Sequence, residues 1–339
     1  MKKILVILTG GTIGSHENNG VISADNNKVR ALELYKKKYS GENLVYDFEC
    51  VSVLNILSEN LNKHHWETIV NYLLSCDLRK YCGVIITHGS DTLSYSSAML
   101  SMCLCALPVP IIITAADRVP DDPESNALCN LRACVVMIDS VKRGVFTVYR
   151  NYGDDFCSVF LPARLQEADR VFGRFTSFDG VSFGIAKDDR FIQNNTDVSI
   201  NDIYNKNTDI LKGKKAVFKN DVLVVRPYPS MDYSCIVPSE TTKAVLHITY
   251  HSSTASTSEN NSALSFLEYC NNSGIPMYLA SFPEGADKMY ETSDMLIKNG
   301  ALPLESICDE AAYSKLLLYC NFSFAERFDI NDDIYFETL

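Results

Sequence analysis

The sequence lacks the features on which three broad classes of protein depend. It has 31 lysines and arginines against 42 aspartates and glutamates, a net charge of -11. It therefore has no basic excess to attract nucleic acid or an anionic membrane surface. No apolar run approaches the roughly 20 residues of a membrane-spanning helix. Its twelve cysteines include no Cys-x-x-Cys pair, the usual spacing in zinc sites. We therefore expect no nucleic acid, membrane or metal partner.

The cysteines and the amino-terminal residues together indicate a compartment. Most of the cysteines lie inside apolar stretches, where a free thiol behaves as a small buried hydrophobic group rather than as half of a disulfide. The apolar run after Lys3 stops at Gly10 and Gly11 without the small-residue cleavage site of a signal peptide. We expect a reduced, cytoplasmic protein.

Length and hydrophobic patterning predict an α/β protein. A chain of 339 residues with 46% hydrophobic residues is long enough for two domains. Apolar runs typical of strands buried on both faces alternate with segments of helical spacing, which favours a mostly parallel sheet flanked by helices. The predicted strands are Ile4–Thr9, Gly83–Thr87, Pro110–Thr114, Gly144–Tyr149, Val222–Val225 and Ala244–Thr249. The predicted helices are His65–Leu74, Leu93–Leu104 and Ser125–Met137.

One polar stretch interrupts this alternation. Residues 188–212 are rich in asparagine and aspartate and have no clear periodicity, as in a linker or a long surface excursion. We expect a larger N-terminal α/β domain over residues 1–187, a linker over 188–212, and a smaller C-terminal α/β domain over 213–339.

The first predicted strand ends in the turn Thr9-Gly10-Gly11-Thr12. Glycines permit positive φ and a close backbone approach, so the following hydroxyl can face a ligand. The spacing does not match the Gly-x-Gly-x-x-Gly of dinucleotide-binding proteins, and no lysine follows as in a phosphate-binding loop. An ordinary turn with a hydroxyl cap remains one interpretation, and a nucleophile on a tight turn is the other. We expect no cofactor.

A second strand is followed by His88-Gly89-Ser90-Asp91-Thr92 and then a helix. These polar residues could simply cap that helix. A hydroxyl and a carboxylate at a strand tip also suit an amino-acid substrate, whose ammonium pairs with the carboxylate. Ligands of open α/β sheets bind beyond the carboxyl ends of the strands, where both turns lie.

Together, the two motifs resemble those of the bacterial-type L-asparaginase family, to which archaeal amidotransferase subunits are related. The order Thr-Gly-Gly-Thr-Ile-Gly and then His-Gly-Ser-Asp-Thr carries the resemblance. Weaker similarity extends over Leu57–Asn60, Thr114–Cys134 and the segment from Gly274 to Leu302. The resemblance implies the two-domain α/β architecture predicted above. It also implies amide hydrolysis by a threonine nucleophile through an acyl-enzyme.

Site residues follow from the resemblance by position. Thr12 would be the nucleophile, and Ser90 with Asp91 would form the second hydroxyl–carboxylate pair. Ser58 and Glu59 would bind the α-carboxylate and the ammonium of the substrate. Backbone N–H groups at the turns, including those of Gly11 and Gly89, would line the binding site and stabilise the tetrahedral oxyanion.

Three positions depart from the family pattern. Val21 stands where the family usually has an activating tyrosine, and Ser90 replaces a threonine while keeping its hydroxyl. Glu167, in Pro162–Phe175, stands at the position of the catalytic lysine. A carboxyl group there could hydrogen-bond Ser90 or act as its base, but it cannot supply a cation. Two other interpretations stay open: the alignment is out of register by one or two residues, or Glu167 is a charged residue of a surface loop.

The predicted function is hydrolysis of L-asparagine, or of a similar small amide, to L-aspartate and ammonia. The partner would be a small amino-acid amide, and the assembly a homodimer or homotetramer. Two alternatives stay open because of Val21 and Glu167. One is an amidase for a different substrate, and the other is a non-catalytic protein that binds or senses amino acids.

Overall fold

A computed structural model describes residues 2–11, 15–18, 21–24, 30–39, 46–258, 261–283, 289–322 and 328–339. The chain divides into two compact units, Met1–Ala216 and Val217–Leu339, each with its own sheet. Together these units give the predicted α/β class, with a larger sheet in the first and a smaller parallel sheet in the second.

The first unit contains a large sheet with the strand order β10-β9-β8-β7-β6-β5-β1-β4, and a separate antiparallel pair, β2 and β3. Its strands are β1 (Lys2–Gly10), β2 (Ser15–Asn18), β3 (Val21–Ala24), β4 (Tyr46–Ile56), β5 (Gly83–Thr87), β6 (Pro110–Thr114), β7 (Gly144–Tyr149), β8 (Cys157–Phe160), β9 (Gly184–Lys187) and β10 (Arg190–Gln193). Its helices are α1 (Arg30–Lys38), α2 (Lys63–Ser75), α3 (Leu93–Leu104), α4 (Ala127–Ser140) and α5 (Ile200–Asn205).

The centre of the large sheet is parallel and apolar. Five adjacent strands run parallel to one another: β4, β1, β5, β6 and β7. Every residue of β5, β6 and β7 is buried. Strands buried on both faces need continuous apolar sequence, which is why these runs were recognisable. Their carboxyl ends therefore lie along one edge of the sheet, where the segments that follow them meet.

Beyond β7 the sheet becomes antiparallel through β8, β9 and β10. The predicted linker, residues 188–212, lies in the first unit and carries β10 and α5. Its polar sequence suits these short elements because β10 is a sheet edge with half-exposed residues. The predicted domain limits at residues 187 and 213 stay a prediction.

Arg164 is a charged side chain in the interior of this unit. Its side chain is only 2% exposed and pairs with Asp197 at 2.7 Å and with Asp179 at 3.0 Å. The guanidinium holds the pKa of Asp197 below its ordinary value through these hydrogen bonds. A planar, permanently charged fork suits such bidentate pairing. Arg164 is therefore committed to holding two loop segments together.

The second unit has a parallel sheet in the order β11-β12-β13-β14. Its elements are β11 (Asp221–Val225), β12 (Thr242–Ile248), α6 (Ala263–Asn272), β13 (Met277–Phe282), α7 (Glu291–Lys298), β14 (Leu302–Glu305) and α8 (Asp309–Phe322). Lys315 of α8 forms a buried ion pair with Glu337 at 3.0 Å. Glu337 also accepts hydrogen bonds from the N–H groups of Ile334 and Tyr335, which ties the carboxyl-terminal residues to α8.

The helices are short in relation to the thickness of a membrane. Among the described residues, none of them combines the length and the apolar character that crossing a bilayer demands.

We predict that acid weakens the fold partly through His247 of β12. Burial lowers the pKa of this imidazole to about 4, below the value of about 6.5 in an unfolded chain. Between pH 4 and pH 6.5 this imidazole therefore binds a proton in the unfolded state but not in the native state. The free energy of unfolding decreases as the pH drops from 6.5 towards 4. The resulting loss in the free energy of unfolding is about 3 kcal/mol at pH 4.

The measurement is denaturant unfolding of the wild type and of His247→Gln between pH 7 and pH 4. Glutamine retains a partner for the Tyr233 hydroxyl, which lies 2.8 Å from Nε2 of His247. The variant should lose less stability than the wild type over this range. Parallel losses in the two proteins would contradict the assignment.

Candidate active site

The turn at the end of β1 is pressed against two other loops. Gly10 and Gly11 have φ angles of 104° and 74°, which favour glycine. A Cβ on Gly10 would overlap the carbonyl oxygen of Ile56, at the end of β4. A Cβ on Gly11 would lie 2.6 Å from the backbone nitrogen of Gly89, beyond β5. Glycine is required here because main chain meets main chain.

A second contact joins the segments that follow β4 and β5. A Cβ on Gly89 would lie 2.5 Å from both Cβ and Oγ of Ser58. The buried Ser58 hydroxyl donates to Oδ2 of Asp91 at 3.2 Å. The Thr92 hydroxyl donates to the carbonyl oxygen of Ser58 at 3.0 Å. The turns after three adjacent strands thus form one packed cluster at the carboxyl edge of the sheet.

His88 supports this cluster from below. Nε1 of Trp66 donates to the Ser96 hydroxyl at 2.8 Å, and that hydroxyl lies 2.9 Å from Nε2 of His88. Nδ1 of His88 lies 2.8 Å from the carbonyl oxygen of Gly89. Because a carbonyl oxygen can only accept, Nδ1 carries the proton and donates to Gly89, and in the neutral ring Nε2 then accepts from the Ser96 hydroxyl. Burial lowers the pKa of His88, so the imidazole is a neutral structural group.

A cavity of about 410 Å³ opens beside Ser90 and Asp91. Glu167 lines the same cavity, so a residue far along the chain faces the second hydroxyl–carboxylate motif. The described lining residues are Ser90, Asp91, Asp117, Tyr149, Tyr152, Glu167, Ala168, Asp169, Arg170, Phe172 and Gly173.

One wall of this cavity is a hairpin formed by residues 165–177, between β8 and β9. Leu165 pairs with Ser177. At the tip, the Asp169 carboxylate accepts hydrogen bonds from the N–H groups of Val171, Phe172 and Arg174. These bonds hold the pKa of Asp169 below its ordinary value. Asp169 thus fixes the shape of the tip.

The base of the hairpin is anchored to the segment after β7. The Asn151 side chain donates to the carbonyl oxygen of Phe175 at 2.9 Å and accepts from its N–H at 2.8 Å. The buried Phe175 ring packs edge-on against Tyr149, with ring centroids 4.8 Å apart. Burial raises the pKa of Tyr149 to about 12, so this phenol is neutral at physiological pH.

Metal-binding side chains are not clustered in the part of the chain that the structure describes. Within those ranges, no group of three or more histidine, cysteine, aspartate or glutamate side chains is arranged to hold a metal ion.

Residues 3–169 match the family model "Asparaginase, N-terminal". These residues belong to the asparaginase family. The match includes the Gly10–Gly11 turn, the Ser58 turn, the Ser90–Asp91 motif and Glu167.

Curated relatives of this chain are named as a subunit of glutamyl-tRNA(Gln) amidotransferase. The protein from Methanosarcina barkeri is 31% identical over 166 residues, covering 47% of this chain and 37% of the relative. The one from Pyrococcus abyssi is 26% identical over 331 residues, covering 94% of this chain and 72% of the relative. The chain thus matches little more than a third of the length of the Methanosarcina protein.

Solved structures show that the asparaginase-like fold extends over the whole chain. The thermostable L-asparaginase from Thermococcus kodakarensis has a TM-score of 0.76 at 19% identity and covers 99% of both chains. L-asparaginase I from Vibrio cholerae has a TM-score of 0.71 at 16% identity, with 100% and 99% covered. At such identities the likeness establishes the fold alone.

The site residues predicted from sequence are distributed unevenly within this asparaginase-family domain. Gly11, Gly89, Ser58 and Asp91 pack in the cluster described above, whereas Glu59 is exposed on its margin. Thr12 lies outside the described residues. The catalytic and binding roles of all these residues stay predictions.

Sequence reasoning missed several side chains that line the cavity. Asp117 follows β6 and Tyr149 ends β7, so the strand-end rule was a signal for both. Tyr152 and Phe172 carried no such signal, because their positions depend on the hairpin of residues 165–177.

We predict that Gly11→Ala lowers the free energy of unfolding by more than backbone strain alone would. Gly180 is the matched control, because its φ of 78° is similar and a Cβ there meets nothing within 4 Å. Gly180→Ala should cost about 1 kcal/mol from backbone conformation. Gly11→Ala should cost at least about 2 kcal/mol more, since main chain must move. Chemical denaturation measures both, and equal costs would contradict the close approach at Gly11.

Proposed function

We propose that this asparaginase-family protein hydrolyses L-asparagine, or a similar small amide, to L-aspartate and ammonia, with Thr12 as the nucleophile. The observation that carries the proposal is the contact between the main chains of Gly11 and Gly89. Each glycine directly precedes a residue bearing a proposed catalytic hydroxyl, Thr12 in one turn and Ser90 in the other. Close packing of the two glycines favours convergence of these hydroxyls on one substrate.

The proposed reaction proceeds in two halves. The Thr12 hydroxyl attacks the amide carbon, the C–N bond breaks, and ammonia leaves with a proton. Water then attacks the resulting ester and releases the acid. A threonine hydroxyl is a weak nucleophile and needs a base or proton relay. Ser90 and Asp91 are the proposed relay, and the N–H groups of the glycine turns are the proposed donors to the oxyanion.

Substrate recognition is proposed at Ser58, Glu59 and Asp91. The Ser58 hydroxyl, which donates to Asp91, would turn its donor to the α-carboxylate of the substrate. Asp91 and Glu59 would then face the α-ammonium, since two carboxylates suit one cation. Gly11 and Gly89 complete the proposed substrate-binding set. Their lack of side chains lets the turns that would hold the substrate pack directly against each other.

Glu167 is proposed as a hydrogen-bond partner or base for Ser90. Its presence in the cavity with Ser90 and Asp91 supports this assignment. An ionised Glu167 carboxylate can accept a proton from the Ser90 hydroxyl, whereas the lysine cation implied by the family resemblance could not. Such a relay would operate with different charges from the family pattern.

Glutamine is a second candidate substrate. The relatives named as a glutamyl-tRNA(Gln) amidotransferase subunit favour it, and Glu167 and Val21 indicate that the site differs from that of a typical asparaginase. A non-catalytic role in binding an amino acid is the remaining alternative.

The proposal extends to assembly and location. We keep a homodimer or homotetramer as the expected assembly, on the strength of the family resemblance, and expect no cofactor. All twelve cysteines are free thiols, which supports a reducing compartment such as the cytoplasm.

We predict ammonia release from asparagine or glutamine that depends on both hydroxyls. Thr12→Ala should lower kcat/KM at least about a thousandfold, as loss of a nucleophile does. Ser90→Ala should lower it about a hundredfold. Thr241→Ala, which removes an exposed hydroxyl in the second unit, is the control and should retain full activity.

A coupled ammonia assay with a panel of small amides checks this prediction. Full activity of Thr12→Ala would contradict the nucleophile. Calorimetric binding of aspartate or asparagine without turnover of any amide would instead favour the non-catalytic alternative.

A further inference from the structure

The cavity beside Ser90 borders Asp91, which also belongs to the proposed amino-acid site. Ser58 contacts Asp91, yet among the described lining residues neither Ser58 nor Glu59 borders the cavity. If Ser58 and Glu59 hold the α-carboxylate and the ammonium, the proposed reaction requires the substrate's amide group to lie at Ser90, which borders the cavity. The cavity then receives whatever is attached to that nitrogen.

Its size exceeds what ammonia requires. Ammonia is about as large as a water molecule, which takes up roughly 30 Å³ in the liquid. The cavity holds about 410 Å³, within the range of roughly 300–1,000 Å³ of ligand sites. A primary amide such as asparagine would leave most of this space unused. A larger leaving amine would fill it.

Hydrogen bonds hold the hairpin of residues 165–177, which forms one wall of the cavity, in a defined shape. Asn151 clamps Phe175 through two hydrogen bonds, and Arg174 donates to Asp154 at 3.1 Å. Asp169 closes the tip through three backbone N–H groups. These bonds give the space beside Ser90 a defined far side, which includes the Phe172 ring.

The lining has a definite chemical preference. Besides Asp169 at the hairpin tip, three residues contribute carboxylates, against one cation from Arg170: Asp91, Asp117 and Glu167. The rings of Tyr149, Tyr152 and Phe172 supply apolar surface. Carboxylates together with aromatic faces suit an extended chain that ends in a cation.

We propose that the physiological substrate is a secondary amide whose leaving amine carries an extended cationic chain, accommodated between Asp117 and Phe172. This inference rests on the proposed function. Hydrolysis adds one water, breaks the bond between the carbonyl carbon and the substituted nitrogen, and releases the acid and the protonated amine. No oxidant, reductant or further reactant is needed.

The test compares three β-amides of L-aspartate: the unsubstituted amide, the N-pentyl amide and the N-(4-aminobutyl) amide. The last two have equal length and differ in one terminal charge. We expect kcat/KM for the aminobutyl amide to exceed that for the pentyl amide about tenfold, as one charge-assisted contact would give. We also expect it to exceed the value for asparagine.

Variants locate the preference. Asp117 accepts a hydrogen bond from the N–H of Asn126 at 3.0 Å, and Asp117→Asn keeps an oxygen for that bond while removing the charge. This variant should lower the ratio of kcat/KM for the aminobutyl amide to that for the pentyl amide at least threefold. Phe172→Ala should lower kcat/KM for both substituted amides relative to asparagine. Val171→Ala is the matched control, because Val171, next to Phe172, is 79% exposed and is not among the described lining residues. It should leave both ratios unchanged.

The outcomes separate this inference from the proposed function. Cleavage of asparagine with no cleavage of the substituted amides would overturn the inference alone. Equal rates for the charged and neutral amides, or an unchanged ratio in Asp117→Asn, would also overturn it. Failure to cleave any of the three amides would overturn this inference, and if glutamine also releases no ammonia it would contradict the proposed function as well.

Discussion

The close approach of Gly11 to Gly89 is the constraint on which the rest of the site depends. At this point two turns meet with no side chain between them. Any Cβ would force the main chains apart and widen the gap between the residues that follow. Parallel strands bring their carboxyl ends to one edge of the sheet, and the glycines bring those ends into contact. Chemistry that needs two hydroxyls at one carbon requires such an approach.

The surroundings hold this contact in place rather than taking part in chemistry. His88 is neutral and buried, and it links Gly89 to Ser96 and Trp66 through hydrogen bonds. Arg164, three residues before Glu167, is paired with two aspartates and so serves structure. Glu167, by contrast, borders the cavity beside Ser90. The site therefore combines a family-like arrangement of turns with an acidic wall on one side.

Much of the fold was predictable because it follows from local patterning. The apolar runs at β1, β5, β6 and β7 and the helix at Leu93–Leu104 are where the sequence placed them. The strand-end rule also identified the segments that form the site. The hairpin of residues 165–177 was not predictable, since its contacts join Asn151 to Phe175 and depend on tertiary packing. Its polar sequence has no periodicity, and the strands β8 to β10 are each only four residues long, too short to show one.

A crystal structure with L-aspartate bound would show directly whether the two hydroxyls converge on one carbonyl carbon. We expect the α-carboxylate to lie at Ser58 and the side-chain carboxyl group to lie between the hydroxyls of Thr12 and Ser90. Each hydroxyl oxygen should be about 3 Å from the carboxyl carbon. Aspartate bound elsewhere, or the two hydroxyls held more than about 12 Å apart and so out of reach of one carbon, would contradict this arrangement.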